Sequence, residues 1–265
     1  MKVIMSLLIG VLAWGASTVE AKVVNKNVTY EHEGVVLEGY LAWDDSVEGP
    51  RPGVLVVHQW MGLSDNECMR ADMLAELGYV ALAADVYGQG VRPKDTDEAR
   101  QQAGKFYGDR ALFRARLAAG LAELKRQSLV DGAHVAAIGY CFGGGGVLEL
   151  ARAGADLAGV VSFHGSLDTP LPASAGDIRA KVLVCHGAVD PYVKPEAVQS
   201  FVDEMEGADV DYQLVMYAGA VHAFTQQAAG DDPTKGAAYN EAADRRSWRA
   251  MQDFFAEIFG QESER

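Results

Sequence analysis

Short, continuous apolar runs recur along the chain: Gly53–Val57, Tyr79–Ala84, His134–Ile138, Ala158–Phe163 and Lys181–Cys185. None shows the polar/apolar alternation of a strand with one wet face. Runs of this kind suit parallel strands buried on both faces. Helix-like segments lie between most of them, over Asp65–Leu77, Arg110–Gln127 and Lys194–Met205. Strand–helix alternation predicts an α/β fold, with a mostly parallel central sheet flanked by helices on both faces. Val28–Glu31 and Val35–Leu41 predict an antiparallel pair at the N-terminal edge. Tyr212–Met216 predicts one more strand. The final helix, about Glu241–Phe259, spaces Trp248, Met251, Phe254, Phe255 and Ile258 as a core-packing stripe.

The first residues follow another pattern. Lys2 precedes a mostly apolar run, Val3–Val11, that continues to Trp14, and Val19-Glu20-Ala21 fits a small-residue cleavage site. This reads as a secretory signal peptide over 1–21, cut after Ala21. The run is short of the roughly 20 residues a span needs. The expectation is one exported domain over 22–265, periplasmic or secreted, with no stable membrane association after cleavage. The formal net charge of −14 argues against nucleic acid and anionic membranes as partners. Cys68, Cys141 and Cys185 make an odd count, unlike the dense, even-numbered framework of a disulfide-built domain. Whether Cys68 and Cys185 pair stays open at this level, as does the oligomeric state.

One stretch concentrates chemistry. Gly139–Gly146, GYCFGGGG, joins an apolar run to a helix-like segment. Gly139-x-Cys141-x-Gly143 has the form of a nucleophile elbow with cysteine in place of serine. The turn would place the thiol at a helix N-terminus, where dipole and free N–H groups favour a thiolate. Three other readings compete: a phosphate cradle, an inert core cysteine and a disulfide partner. The first lacks the Lys-Ser/Thr of a P-loop. Context favours the elbow. Asp190 and His222 each fall just beyond a predicted strand, in the order nucleophile, acid, histidine. Ligand sites of open α/β sheets gather at that edge. Asp85 precedes Cys141 and reads as a loop hydrogen-bonder, while Asp168 is a second choice for the acid. His58, His164 and His186 also end strands, where structural roles are commoner than catalysis. No histidine or cysteine spacing matches a zinc site, so no metal is expected.

Together these residues resemble the dienelactone hydrolase family of the α/β-hydrolase superfamily. The matching pieces are His58-Gln-Trp-Met-Gly62, Ala84-Asp-Val-Tyr-Gly88, Gly139-Tyr-Cys-Phe-Gly-Gly144, His186-Gly-Ala-Val-Asp190 and His222-Ala-Phe224. The resemblance implies an α/β-hydrolase fold and a Cys141–His222–Asp190 triad. It also implies an oxyanion hole from the Trp60 and Phe142 amides, and cleavage of a small ester or lactone without a cofactor. Gln59, Tyr87 and Phe224 become candidates to line the substrate pocket. Two departures stand out. Gln59 occupies a position where the family commonly has a glutamate that helps generate the thiolate. The arginines that hold dienelactone's carboxylate in members that cleave it have no counterpart in Gly88-Gln-Gly90 or Phe224-Thr-Gln-Gln227, and the nearest is Arg92. A neutral ester or another lactone therefore stands beside dienelactone as substrate. A binding protein that has lost turnover, and an acyltransferase, are the competing functions.

Overall fold

The computed structural model describes residues 22–260, so the expected signal peptide lies outside the described residues. The chain runs β1 (Val23–His32), β2 (Val35–Asp44), β3 (Arg51–Val57), α1 (Asp65–Glu76), β4 (Val80–Ala84), α2 (Thr96–Gly108), α3 (Arg110–Arg126), β5 (Val130–Tyr140), α4 (Phe142–Arg152), β6 (Gly159–Phe163), β7 (Lys181–Gly187), α5 (Pro195–Gly207), β8 (Tyr212–Tyr217) and α6 (Glu241–Ile258). One eight-stranded sheet has the order β1-β2-β4-β3-β5-β6-β7-β8. β1 pairs antiparallel with β2, and β2 antiparallel with β4; the remaining pairings are parallel. The fold is the α/β class read from the apolar runs, with its antiparallel pair at one edge.

Those runs lack alternation because both sheet faces are covered. In β3, Leu55 and Val57 face a core built with Phe113, Leu117, Leu121, Val147 and Phe201 from α3, α4 and α5. Val54 and Val56 face the other core, with Ala71, Leu74, Met251, Phe254 and Phe255 from α1 and α6. The α6 stripe is thus core. Helix starts follow local chemistry: Ser64 and Glu67 form a reciprocal capping box on α1, and Asp109 caps α3 through the Leu112 amide. Helix α2, absent from the sequence reading, begins on an Asp95 cap and buries Ala99, Ala103 and Phe106. After β3 the chain moves to one side to build β4, then returns to the other side for β5. That reversal opens a crevice at the carboxyl ends of β3 and β5, the place where open sheets take ligands.

Candidate active site

Cys141 sits at that reversal, between β5 and α4. Its backbone, at φ 53° and ψ −111°, is left-handed and strained for a non-glycine residue. The glycines make the turn sterically feasible. A Cβ on Gly143 would fall on the Val57 and His58 carbonyls, and one on Gly139 on the Gly143 carbonyl. His164 (φ 40°) and Ala223 (φ 55°) share the left-handed conformation, so three strained residues converge here.

The strand ends bring three side chains into a relay. His222 Nε2 lies 3.0 Å from Cys141 Sγ. His222 Nδ1 lies 2.8 Å from Asp190 Oδ2. The carboxylate's other oxygen accepts the Tyr192 amide at 2.8 Å, which fixes its rotation. The loop of His222 is held in turn: the His222 amide donates to the Gly236 carbonyl and its carbonyl accepts from the Ala238 amide. Asp190's side chain is shut off from solvent, while that of His222 is 15% exposed. Burial alone would lower the His222 pKa. The Cys141 sulfur and the Asp190 carboxylate outweigh it and raise the imidazole from 6.5 to about 10.

The amide of Cys141 points inward, to the Phe163 carbonyl at 3.0 Å and to His164 Nδ1 at 3.2 Å. The N–H of Cys141 is thus consumed by structure, and the next one, on Phe142, heads α4. Phe142 is fully buried among His58, Tyr107 and Phe113, its ring stacked 4.5 Å from that of Phe113. Trp60 lies in the turn after β3, where its carbonyl accepts the Tyr87 hydroxyl at 2.9 Å.

Two of the pocket-lining candidates, Phe224 and Tyr87, are buried. Phe224 is fully buried and packs edge-on against His164, so its ring is core. Tyr87 is nearly buried among His58, Phe106 and Phe142, and its hydroxyl braces the Trp60 turn. Sequence adjacency to a motif does not say which way a ring turns. Gln59 is also buried, and its amide donates to the Glu67 carboxylate at 3.4 Å.

The rivals have structural partners. Asp85 accepts the amides of Tyr87, Gly88 and Glu38. His58 donates to the Gln59 carbonyl and accepts the Val86 amide, and burial lowers its pKa. Asp168 is exposed, and the His222 ring is bonded to Asp190 instead. Arg92 turns back onto its own loop, donating to the Val91 carbonyl at 2.9 Å and lying 3.7 Å from Asp85. Cys68 and Cys185 are both free. Burial pushes each thiol up to about 12, so neither is an activated nucleophile. Among the described residues, no group of three or more His, Cys, Asp or Glu side chains could hold a metal ion, and no helix is long and apolar enough to cross a membrane.

One residue of the site escaped sequence reading. Tyr107, on α2, stands edge-on to Phe142 at 5.5 Å with the Arg110 guanidinium over its ring. Its phenol pKa is raised, by burial first and then by the Cys141 sulfur. The cap at Asp95 and the spacing of Ala99, Ala103 and Phe106 were the only signals for the helix that delivers it.

Comparison with known proteins gives concordant results. The model of the "Dienelactone hydrolase family" matches residues 37–259. A solved chain named m3DLH is 42% identical, with a TM-score of 0.86, covering 89% of this chain and 98% of that one. A dienelactone hydrolase-like promiscuous phosphotriesterase from metagenomic libraries is 44% identical, with a TM-score of 0.84 and the same coverages, 89% and 98%. A putative carboxymethylenebutenolidase of Salmonella typhimurium is 26% identical over 250 residues, or 86% of this chain and 85% of that protein.

Proposed function

The chain belongs to the dienelactone hydrolase family and is a hydrolase of ester or lactone bonds; on that premise we propose that it works through a Cys141 nucleophile, a His222 base and an Asp190 orienting acid. The observation that carries this reading is the continuous relay from Sγ through the imidazole to a buried carboxylate, at 3.0 and 2.8 Å.

His222 Nε2 takes the thiol proton, and Sγ attacks the carbonyl carbon. The tetrahedral oxyanion is met by the amides of Phe142 and Trp60, each donor typically worth about 3 kcal/mol of barrier. Collapse breaks the C–O bond, and the imidazolium protonates the departing alkoxide. A water then gives its proton to His222 and its oxygen to the thioester carbonyl, releasing the acid and restoring the thiol. Asp190 holds Nδ1–H throughout, so that Nε2 alone faces the reaction. With Arg92 committed to its own loop, an uncharged ester or lactone suits the site better than a carboxylate-bearing one. The test is p-nitrophenyl acetate hydrolysis by the reduced protein. Many turnovers with a transient S-acetyl group on Cys141 support the relay. A single burst points to a binding protein that is merely acylated, and a rate that rises with added alcohol points to transfer. The similarity to a promiscuous phosphotriesterase favours a second activity, read in the same assay with a p-nitrophenyl phosphotriester.

The imidazole pKa sets the alkaline limit. It is raised, so the imidazolium needed to protonate the alkoxide persists below about 10 and is lost above it. The kcat/KM profile should therefore fall as pH rises through about 10. Asp190→Asn removes one of the groups that raise the imidazole, so the limb should move to lower pH and activity should drop at least about 100-fold. An unmoved limb would remove Asp190 from the relay. We further propose export with cleavage after Ala21, for which the N-terminal sequence of the secreted or periplasmic protein is the check; an intact N-terminus would refute it.

A further inference from the structure

His164 is a buried histidine at the end of β6 that the mechanism leaves unused. Its bonds run in two directions. Nδ1 receives the Cys141 amide at 3.2 Å, and Nε2 lies 2.8 Å from the Thr225 hydroxyl. A backbone N–H can only donate, so Nδ1 is the acceptor and the ring's proton is on Nε2, donated to Thr225 Oγ1. Thr225 belongs to the same short loop as His222, and the Thr225 carbonyl is pinned by Arg70 at 2.9 Å. Arg70 is itself tied to Asp244 on α6 at 2.7 Å.

We infer that His164 and Thr225 form a positioning bridge that fixes the nucleophile elbow relative to the loop carrying the base. This rests on the assignment of Cys141 and His222 above. The elbow and the base loop follow two parallel strands, β5 and β8, that are separated by β6 and β7. The Sγ–Nε2 contact is the only reacting pair that must span that gap. A rigid ring between the two backbones sets its length and direction from behind. The ring also stands edge-on to the His222 ring, with centroids 5.3 Å apart. A second proton on His164 would oppose the Cys141 N–H, so the ring stays neutral beside the imidazolium. Burial, His222, Arg70 and His186 together hold its pKa well below 6.5, outweighing the opposing pull of its own backbone carbonyl. A left-handed backbone at His164 is the strain accepted to aim the ring so.

The experiment uses Thr225→Val, which keeps the shape and removes the hydroxyl, with Thr225→Ser to restore it. His164→Asn keeps an acceptor toward the elbow but does not reach Thr225. Each variant is checked for folding by circular dichroism and thermal melting. Kinetics on p-nitrophenyl acetate are read beside the pH dependence of Cys141 alkylation by iodoacetamide, mapped to its peptide. Thr225→Val should lose about 10-fold or more in kcat with KM little changed, since small displacements of reacting groups act on the chemical step. Its alkylation profile should move to higher pH. Thr225→Ser should recover both, and His164→Asn should match Thr225→Val. A folded Thr225→Val with the kinetics and profile of the wild type overturns the bridge, as does a Thr225→Ser as impaired as the valine variant. A wild-type Cys141 that alkylates like an ordinary thiol would instead overturn the triad assignment, which keeps the two failures apart.

Discussion

Cys141→Ala is expected to lower kcat/KM for p-nitrophenyl acetate by about 10⁴-fold or more, because it removes the one atom that can form the acyl intermediate. No other thiol can substitute. Cys185 is buried on β7 with its sulfur against the Tyr217 hydroxyl, and Cys68 lies on α1 with burial holding its proton in place. The alanine variant should fold normally, since the elbow's backbone bonds to Phe163 and His164 do not involve the side chain. The residual rate should be that of an oxyanion site without a nucleophile. Cys141→Ser should also be severely slowed, since the raised His222 pKa depends in part on the sulfur, and a hydroxyl would not hold a proton on the imidazole in the same way. The check is steady-state kinetics of both variants, beside thermal melting. Alanine activity within tenfold of the wild type would refute cysteine catalysis.

Gly143→Ala is expected to be the most damaging change to the fold, costing more than about 4 kcal/mol. Its methyl would fall on two carbonyls of the β3 end, Val57 and His58. Those atoms cannot retreat, because β3 is a central strand paired to both β4 and β5. Relief would have to come from pushing α4 away from the sheet, which opens the packing of Val147, Leu148 and Phe142. Gly104→Ala on α2 is the control. A Cβ there meets nothing within 4 Å, so alanine should be neutral or stabilise by up to about 1 kcal/mol through helix propensity. Denaturant titration of the two variants decides the matter. Equal midpoints would mean that the elbow's close contacts are not needed for stability.

How much of this was legible in the sequence differed by element. The parallel strands could be read because two-sided burial leaves an unmistakable continuous run, and Val54–Val57 shows why, with neighbours facing opposite cores. Cys141, Asp190 and His222 could be picked because strand ends meet at one edge in chain order. Helix α2 was missed because Thr96–Gly108 is largely polar and holds two glycines, so its short buried stripe is faint. Tyr107 went with it. Phe224 is fully buried, and the residue-by-residue pattern does not tell a ring that lines a pocket from one that turns into the core. His164 looked like any strand-end histidine, since its importance lies in a contact with Thr225 that only tertiary structure creates.

The run of four glycines at the start of α4 has a consequence for when the thiol becomes reactive. Glycine disfavours a helix by about 1 kcal/mol relative to alanine, so the first turn of α4 is weak on its own. It holds because α3, β3 and the β6 loop close around it, as the crowding at Gly143, Gly144 and Gly146 shows. The helix terminus that favours the thiolate, and the imidazole contributed by a segment 81 residues away in sequence, both exist only after the sheet has assembled. Until then Cys141 is an ordinary cysteine in a flexible stretch. In the proposed mechanism the nucleophile therefore stays dormant through synthesis, and folding itself is the activation step.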